Sequence, residues 1–222
     1  MPDSRRAMLD RVAAVVPAAD ALGRPVLVAV DGVDGAGKTT FADALGGALA
    51  DRGAAVLRAS VDGFHRPAAE RYRRGRSSPE GFYRDSYDLE AFCSVLLDPL
   101  RAGDRGPRRV KTAVRDVRTD TDPGLPWRTV PHTTVLVVDG IFLQRAELAD
   151  RWDVTVWLDV PFDVTYARMA VRDGCPPDPD DPANARYRQG QALYLAERDP
   201  AGRADVVLDN ADPGRPRIVR GA

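Results

Sequence analysis

Cysteine is nearly absent from this chain of 222 residues: only Cys93 and Cys175 occur, with no C-x-x-C pair and no zinc-type spacing. A disulfide framework and a structural zinc site are thereby excluded as organising features, and two free thiols in a reducing compartment are expected. Long hydrophobic runs are missing too. Nowhere do about eighteen apolar residues follow one another, and residues 1–23 hold no continuous apolar run of signal-peptide length, so a soluble cytoplasmic protein without a membrane partner is expected. Neither sign of charge predominates. With 32 Lys plus Arg against 33 Asp plus Glu and a net charge of -1, the chain lacks the electrostatic footprint of a nucleic-acid-binding or membrane-surface protein. No internal repeat is visible, and the length suits one α/β domain over residues 1–222 with a small insertion.

What the chain does contain is concentrated in VLVAVDGVDGAGKTT, Val26 to Thr40. Five apolar or small residues, Val26 to Val30, have the pattern of a strand buried on both faces, and the run stops at Asp31-Gly32. The next residues fill every fixed position of G-x-x-x-x-G-K-[ST]: Gly32, Gly37, Lys38 and Thr39. Glycine at positions 35 and 37 lets backbone amides approach a polyphosphate without a side chain in the way, so the candidate phosphate cradle is Gly32, Asp34, Gly35, Ala36, Gly37, Lys38, Thr39 and Thr40. Lys38 would reach the outer phosphates and the Thr39 hydroxyl would hold Mg²⁺. A helix starting at Thr39 (apolar at Phe41, Leu45 and Leu49) would turn its positive dipole end toward the anion.

The remaining segments alternate between the two types. Residues 4–22 predict a helix capped by Ser4, with Met8, Leu9, Val12, Val15 and Val16 on one face. Ala54–Ser60 reads as a second strand that delivers Asp62 to its carboxyl end, the edge of an open parallel sheet where ligands bind. Residues 66–85 are dense in arginine, which is either a solvated surface neutralised by Glu70, Glu80 and Asp85 or an acceptor-site loop. An amphipathic helix starts near Tyr87 and is expected to end at Pro99 and Gly103. Residues 104–131 read as a β-type excursion outside the main sheet. Thr133–Gly140 has the shape of a Walker-B strand that brings Asp139 near the metal. A fourth strand, Val154–Val160, leads to a helix from Phe162 to Asp173 with Arg168 and Arg172 on one face. Four prolines in residues 174–185 forbid an α-helix there and suggest a surface excursion or lid. A helix over residues 185–197 and a fifth strand, Ala204–Asn210, complete the series. This alternation predicts a doubly wound, five-stranded parallel sheet flanked by helices, with an acceptor-site region at about residues 62–131 and a lid at about 168–190.

GVDGAGKTT, SVDGFHRP, YDLEAF, VLVVDGIFL, RMAVRD and ADVVLDN stand here in the order seen in the uridine kinase and phosphoribulokinase group of phosphate-loop kinases, which the chain resembles over about residues 25–212. The resemblance implies the P-loop NTPase fold, ATP and Mg²⁺ as cofactors, and a small-molecule acceptor whose hydroxyl is phosphorylated. It implies Asp62 as general base, Asp88 as the acid holding a sugar diol, and Asp139 where the group usually has a glutamate near Mg²⁺. Arg168 and Arg172 match arginines that touch the transferring phosphate, and His65 and Arg118 complete the acceptor-side candidates. Self-association into a homo-oligomer is left open.

Two departures qualify the acceptor. The run Lys111 to Arg118 lacks the tyrosine and histidine with which uridine kinases read the pyrimidine, and the lid segment is short and proline-rich. The excess of cations there predicts an anionic or differently shaped polyol over uridine. Pantothenate-, nicotinamide riboside- and sugar-phosphate-type acceptors stay open. A nucleotide-dependent switch is disfavoured, because Asp139-Gly140-Ile141-Phe142 is no D-x-x-G and Asp209-Asn210-Ala211-Asp212 is no N-K-x-D.

Overall fold

A computed structural model describes residues 2–103 and 105–222, with side chains from residue 5 onward. Eight strands form two sheets: β1 (Val26–Gly32), β2 (Ala55–Ser60), β3 (Arg108–Val110), β4 (Arg128–Val130), β5 (Thr134–Asp139), β6 (Val154–Asp159), β7 (Val206–Asp209) and β8 (Arg217–Arg220). The main sheet runs in the order β2-β5-β1-β6-β7-β8. Its first five strands are parallel, as alternation with helices requires, and every residue of β1 and β5 is buried between two helical layers.

Register places the site. Asp139 lies level with Val30 of β1 and with Ser60 of β2, so three neighbouring strands end together. The residues that follow each of them share one crevice, on the side where the strand order reverses about β1.

Four features depart from the sequence expectation. The sixth strand, β8, pairs antiparallel with β7. It closes the edge with a short, arginine-flanked segment, a form that discourages further pairing. The N-terminal helix spans Pro2–Val15 and takes in Ser4, the expected cap, while Pro17 separates it from a second turn at Ala19–Leu22.

The third departure lies around Pro99. Helical structure continues through it: Leu89–Phe92 leads into a π-helical turn at Cys93–Leu97 and on to Asp98–Arg101. Proline has no N–H to give the Val95 carbonyl, and the Lys111 N–H takes that acceptor at 3.0 Å. The same bond ties the helix to the separate β3–β4 hairpin, the β-type excursion expected there.

Last, the arginine-dense stretch is partly helical. Ser78 accepts a hydrogen bond from Gly81 N–H and starts a helix over Pro79–Asp85, which buries Phe82 and Tyr83. That helix packs against the Ala185–Arg198 helix at Gly190, where an added Cβ would lie 2.7 Å from the Pro79 carbonyl oxygen and 2.8 Å from Phe82 Cδ1. Gly190→Ala is therefore expected to cost about 1–3 kcal/mol through overpacking. Denaturant unfolding measures it, and a variant as stable as the wild type would show that the two helices part freely.

Candidate active site

The phosphate loop joins β1 to a helix over Lys38–Asp51, one residue earlier than expected. Gly35 and Gly37 have φ of 75° and 90°, the left-handed region that side chains avoid, and a Cβ on Gly35 would lie 2.7 Å from the Thr165 carbonyl oxygen. Lys38 folds back to donate to the Val33 carbonyl at 2.8 Å.

A cleft of about 170 Å³ opens beside the loop, lined by Asp34, Gly35, Gly37, Lys38, Thr39, Thr40, Asp62, Asp139 and Arg172 among others. Expected loop, metal and acceptor residues from four separate segments are thus brought together. Thr39 Oγ1 donates to Asp139 Oδ2 at 2.6 Å. The other oxygen of Asp139 accepts from Arg58 Nη2 at 2.8 Å, and Arg58 also reaches Asp43 at 3.0 Å. Arg58 was not foreseen; its one signal in the sequence is a lone cation within an otherwise small and apolar strand.

On the acceptor side Asp62 is solvent-exposed, and Tyr87 donates its hydroxyl proton to Asp62 Oδ1 at 2.9 Å. Burial, followed by the neighbouring charge of Asp62, pushes the Tyr87 phenol well above its ordinary value and keeps it a donor. His65 packs on the Tyr87 ring with centroids 4.6 Å apart and donates from Nδ1 to the Asp62 carbonyl at 2.8 Å. Burial lowers the imidazole's pKa, which favours the neutral ring. Tyr87 and His65 thus supply an aromatic and an imidazole next to Asp62, from a segment other than residues 111–118. In the sequence Tyr87 carries no signal beyond the start of a helix.

The other expected residues are engaged by neighbouring groups of the protein. Asp88 caps the Leu89–Phe92 turn, accepting from the Ala91 N–H at 2.9 Å. Arg168, one turn from Arg172, turns to carbonyl oxygens, those of Gly35 at 3.3 Å, Asn210 at 2.9 Å and Ala211 at 2.8 Å. Arg172 pairs with Asp173 at 2.7 Å on the rim of the cleft. Arg118 is exposed and faces Asp116 at 3.9 Å. Its neighbours are matched as well, Lys111 with Asp122 at 3.6 Å and Arg115 with Asp120 at 3.8 Å. In the arginine-dense stretch Arg66 faces Glu70, Arg74 faces Glu80 and Asp85, and Arg84 faces Glu197. The proline-rich segment forms a single 3₁₀ turn at Pro182–Asn184, where buried Asn184 donates to the Pro176 and Asp178 carbonyls.

Among the described residues no group of three or more His, Cys, Asp or Glu side chains gathers to hold a metal, and no helix is long and apolar enough to cross a membrane.

Comparison with known proteins gives one consistent neighbourhood. The uridine kinase of Leuconostoc citreum (strain KM20) is 22% identical over 151 residues, 68% of this chain and 69% of that one. Among solved structures, a possible uridine kinase from Bacillus stearothermophilus is 25% identical, with a TM-score of 0.66 over 91% of this chain and 96% of its own. Phosphoribulokinase from Rhodobacter spheroides shares the fold at 15% identity, with a TM-score of 0.53 over 84% of this chain and 70% of its own. No protein-family model matches the sequence.

A carboxyl with a raised pKa lies beneath the loop. Burial pushes Asp31 up from 3.8 to about 6, although the Tyr194 hydroxyl, the Gly32 N–H, the Lys38 charge and the Gln144 N–H all favour its ionised form. Between about pH 4 and pH 6 the folded state keeps a proton that the unfolded chain has released. The stabilisation from Asp31 is therefore complete below about pH 4 and is lost as pH rises through about 6. Asn cannot ionise, so the unfolding free energy of Asp31→Asn minus that of the wild type is expected to rise by about 2 kcal/mol from pH 4 to pH 7. Chemical denaturation at several pH values checks this. A flat difference would show that the carboxyl titrates as it does in water.

Proposed function

We propose, from the likeness to uridine kinases and from the site's geometry, that this chain is a phosphate-loop kinase of the uridine kinase and phosphoribulokinase-like group whose cleft transfers a phosphoryl group from ATP to a hydroxyl of a small, uncharged polyol. The observation that carries this is the convergence of Lys38, Thr39, Asp62, Asp139 and Arg172 on one cleft. Phosphoryl transfer asks for positioning and charge stabilisation more than covalent help, and this set divides the work accordingly.

Asp62 receives the acceptor hydroxyl and takes its proton. Tyr87 holds one carboxylate oxygen, so the carboxylate is aimed before the acceptor arrives. Lys38 leaves the Val33 carbonyl for the outer phosphates, and Arg172, on the cleft rim, meets the negative charge of the group in transfer. Thr39 and Asp139 offer hard oxygens, hydrogen-bonded to each other at 2.6 Å, that would hold Mg²⁺. Bound there, Mg²⁺ supplies charge neutralisation for the phosphates.

An uncharged acceptor is favoured because Lys111, Arg115 and Arg118, the cations expected to attract an anion, each face an aspartate. The field they offer an incoming phosphate or carboxylate is partly offset by these partners. Asp88, held as a helix cap, contributes through the placement of the segment that carries Tyr87.

ADP release measured against a panel of nucleosides, vitamins, sugars and sugar phosphates identifies the acceptor. With that acceptor, Asp62→Asn is expected to lower kcat by about two orders of magnitude while ATP binds as before. Lys38→Ala is expected to lower kcat/KM for ATP at least about a hundredfold in a folded protein. An Asp62→Asn enzyme with unchanged kcat but weakened ATP would make Asp62 a nucleotide-side residue, and near-normal turnover in folded Lys38→Ala would remove the phosphate-loop assignment.

A further inference from the structure

The phosphate loop is gripped from outside by the last third of the chain. Gln191 is 1% exposed, and its Oε1 accepts the N–H of Asp34 in the middle of the loop at 2.6 Å. One turn on, buried Tyr194 donates its hydroxyl to Asp31 Oδ2 and accepts from the Gln144 N–H at 3.0 Å. The first oxygen of Asp31 in turn accepts the Gly32 N–H at 2.8 Å. Both side chains stand on the Ala185–Arg198 helix.

The adjoining face of that helix holds the acceptor-side segment. Arg186 donates to the Arg76 carbonyl at 2.6 Å and the Gly75 carbonyl at 3.3 Å, Gly190 touches Pro79 and Phe82, and Glu197 pairs with Arg84 at 2.5 Å. One helix therefore contacts both the phosphate loop and the segment from Gly75 to Arg84, through neighbouring faces. Arg186, a candidate lid arginine by its place in the chain, is taken up in this joint.

We propose that Gln191, together with Tyr194 acting through Asp31, is a positioning residue for the reaction: it fixes the Asp34 amide and the phosphate-loop backbone before the nucleotide binds. A loop made of glycine and short side chains has many backbone states, and a cradle of amides stabilises a polyphosphate only if those amides are aimed beforehand. Gln191 removes the alternatives at Asp34. Removing its oxygen leaves the amide without an acceptor and lets the loop relax, at the cost of about one hydrogen bond in nucleotide affinity. The role in turnover rests on the kinase reading above; the role in nucleotide binding does not.

The experiment uses the full chain. Gln191→Leu keeps the volume and removes the acceptor, Tyr194→Phe removes one hydroxyl, and Gln189→Leu alters an exposed position on the same helix as a control. Magnesium-ATP is titrated calorimetrically without acceptor, and amide exchange is followed at Asp34. Gln191→Leu is expected to weaken ATP about tenfold and to speed Asp34 exchange about tenfold or more. Its thermal midpoint is expected to stay within a few degrees of the wild type, and its acceptor KM within about threefold. Tyr194→Phe should move ATP affinity in the same direction by a smaller factor, and Gln189→Leu should change nothing. If Gln191→Leu does not fold, Tyr194→Phe alone decides. ATP affinity within about twofold of the wild type in whichever of the two folds overturns the proposal. So does a loss that only follows the fraction of folded protein. A wild type that binds ATP but phosphorylates no acceptor would instead undo the kinase reading and leave the binding result standing.

Discussion

A loop that offers its backbone amides to a polyphosphate cannot satisfy them with regular structure, so its shape must be imposed by its surroundings. The rest of the molecule is arranged around that constraint. β1 feeds the loop from the centre of the sheet and the Lys38–Asp51 helix carries it away. Three buried side chains from the distant C-terminal part hold it between those anchors: Gln191 on the Asp34 N–H, Tyr194 on Asp31, and Asn210 Nδ2 on the Ala36 carbonyl at 2.7 Å. Arg168 adds a bond to the Gly35 carbonyl. The open side of the cradle is left for the ligand.

The same economy is visible among the charged groups. Asp139 is divided between Thr39 and Arg58, Asp62 is held by Tyr87, and Lys111, Arg115 and Arg118 each face an aspartate. A cleft built in this way offers fixed dipoles and a few aimed side chains in place of a broad positive field. That arrangement favours recognition of a hydroxyl at short range over capture of an anion at long range.

Local features were legible in the sequence. The five apolar residues of β1, the full phosphate-loop pattern and the acids closing β2 and β5 each follow from a short stretch, and the structure brings them to one edge. The grip on the loop was not legible, because its members lie 157 to 174 residues from their partners. On the Ala185–Arg198 helix a buried Gln or Tyr looks the same in sequence as an ordinary helix position. The helix at Pro79–Asp85 was hidden by its arginines, although Ser78-Pro79-Glu80 is a recognisable helix start. Pro99 misled in the opposite sense, since Lys111 from a separate hairpin takes the carbonyl that proline leaves open. β8 escaped because four residues flanked by arginine carry no strand period long enough to read.

Phosphorus NMR of a reaction containing ATP, Mg²⁺ and the acceptor found by screening separates phosphoryl transfer from hydrolysis. A kinase yields stoichiometric ADP and a new phosphate monoester on the acceptor, with negligible inorganic phosphate and no ATP loss when the acceptor is omitted. Release of ADP and inorganic phosphate at the same rate with or without any acceptor would contradict the kinase reading, and would make the protein a nucleotide hydrolase or switch built on the same loop.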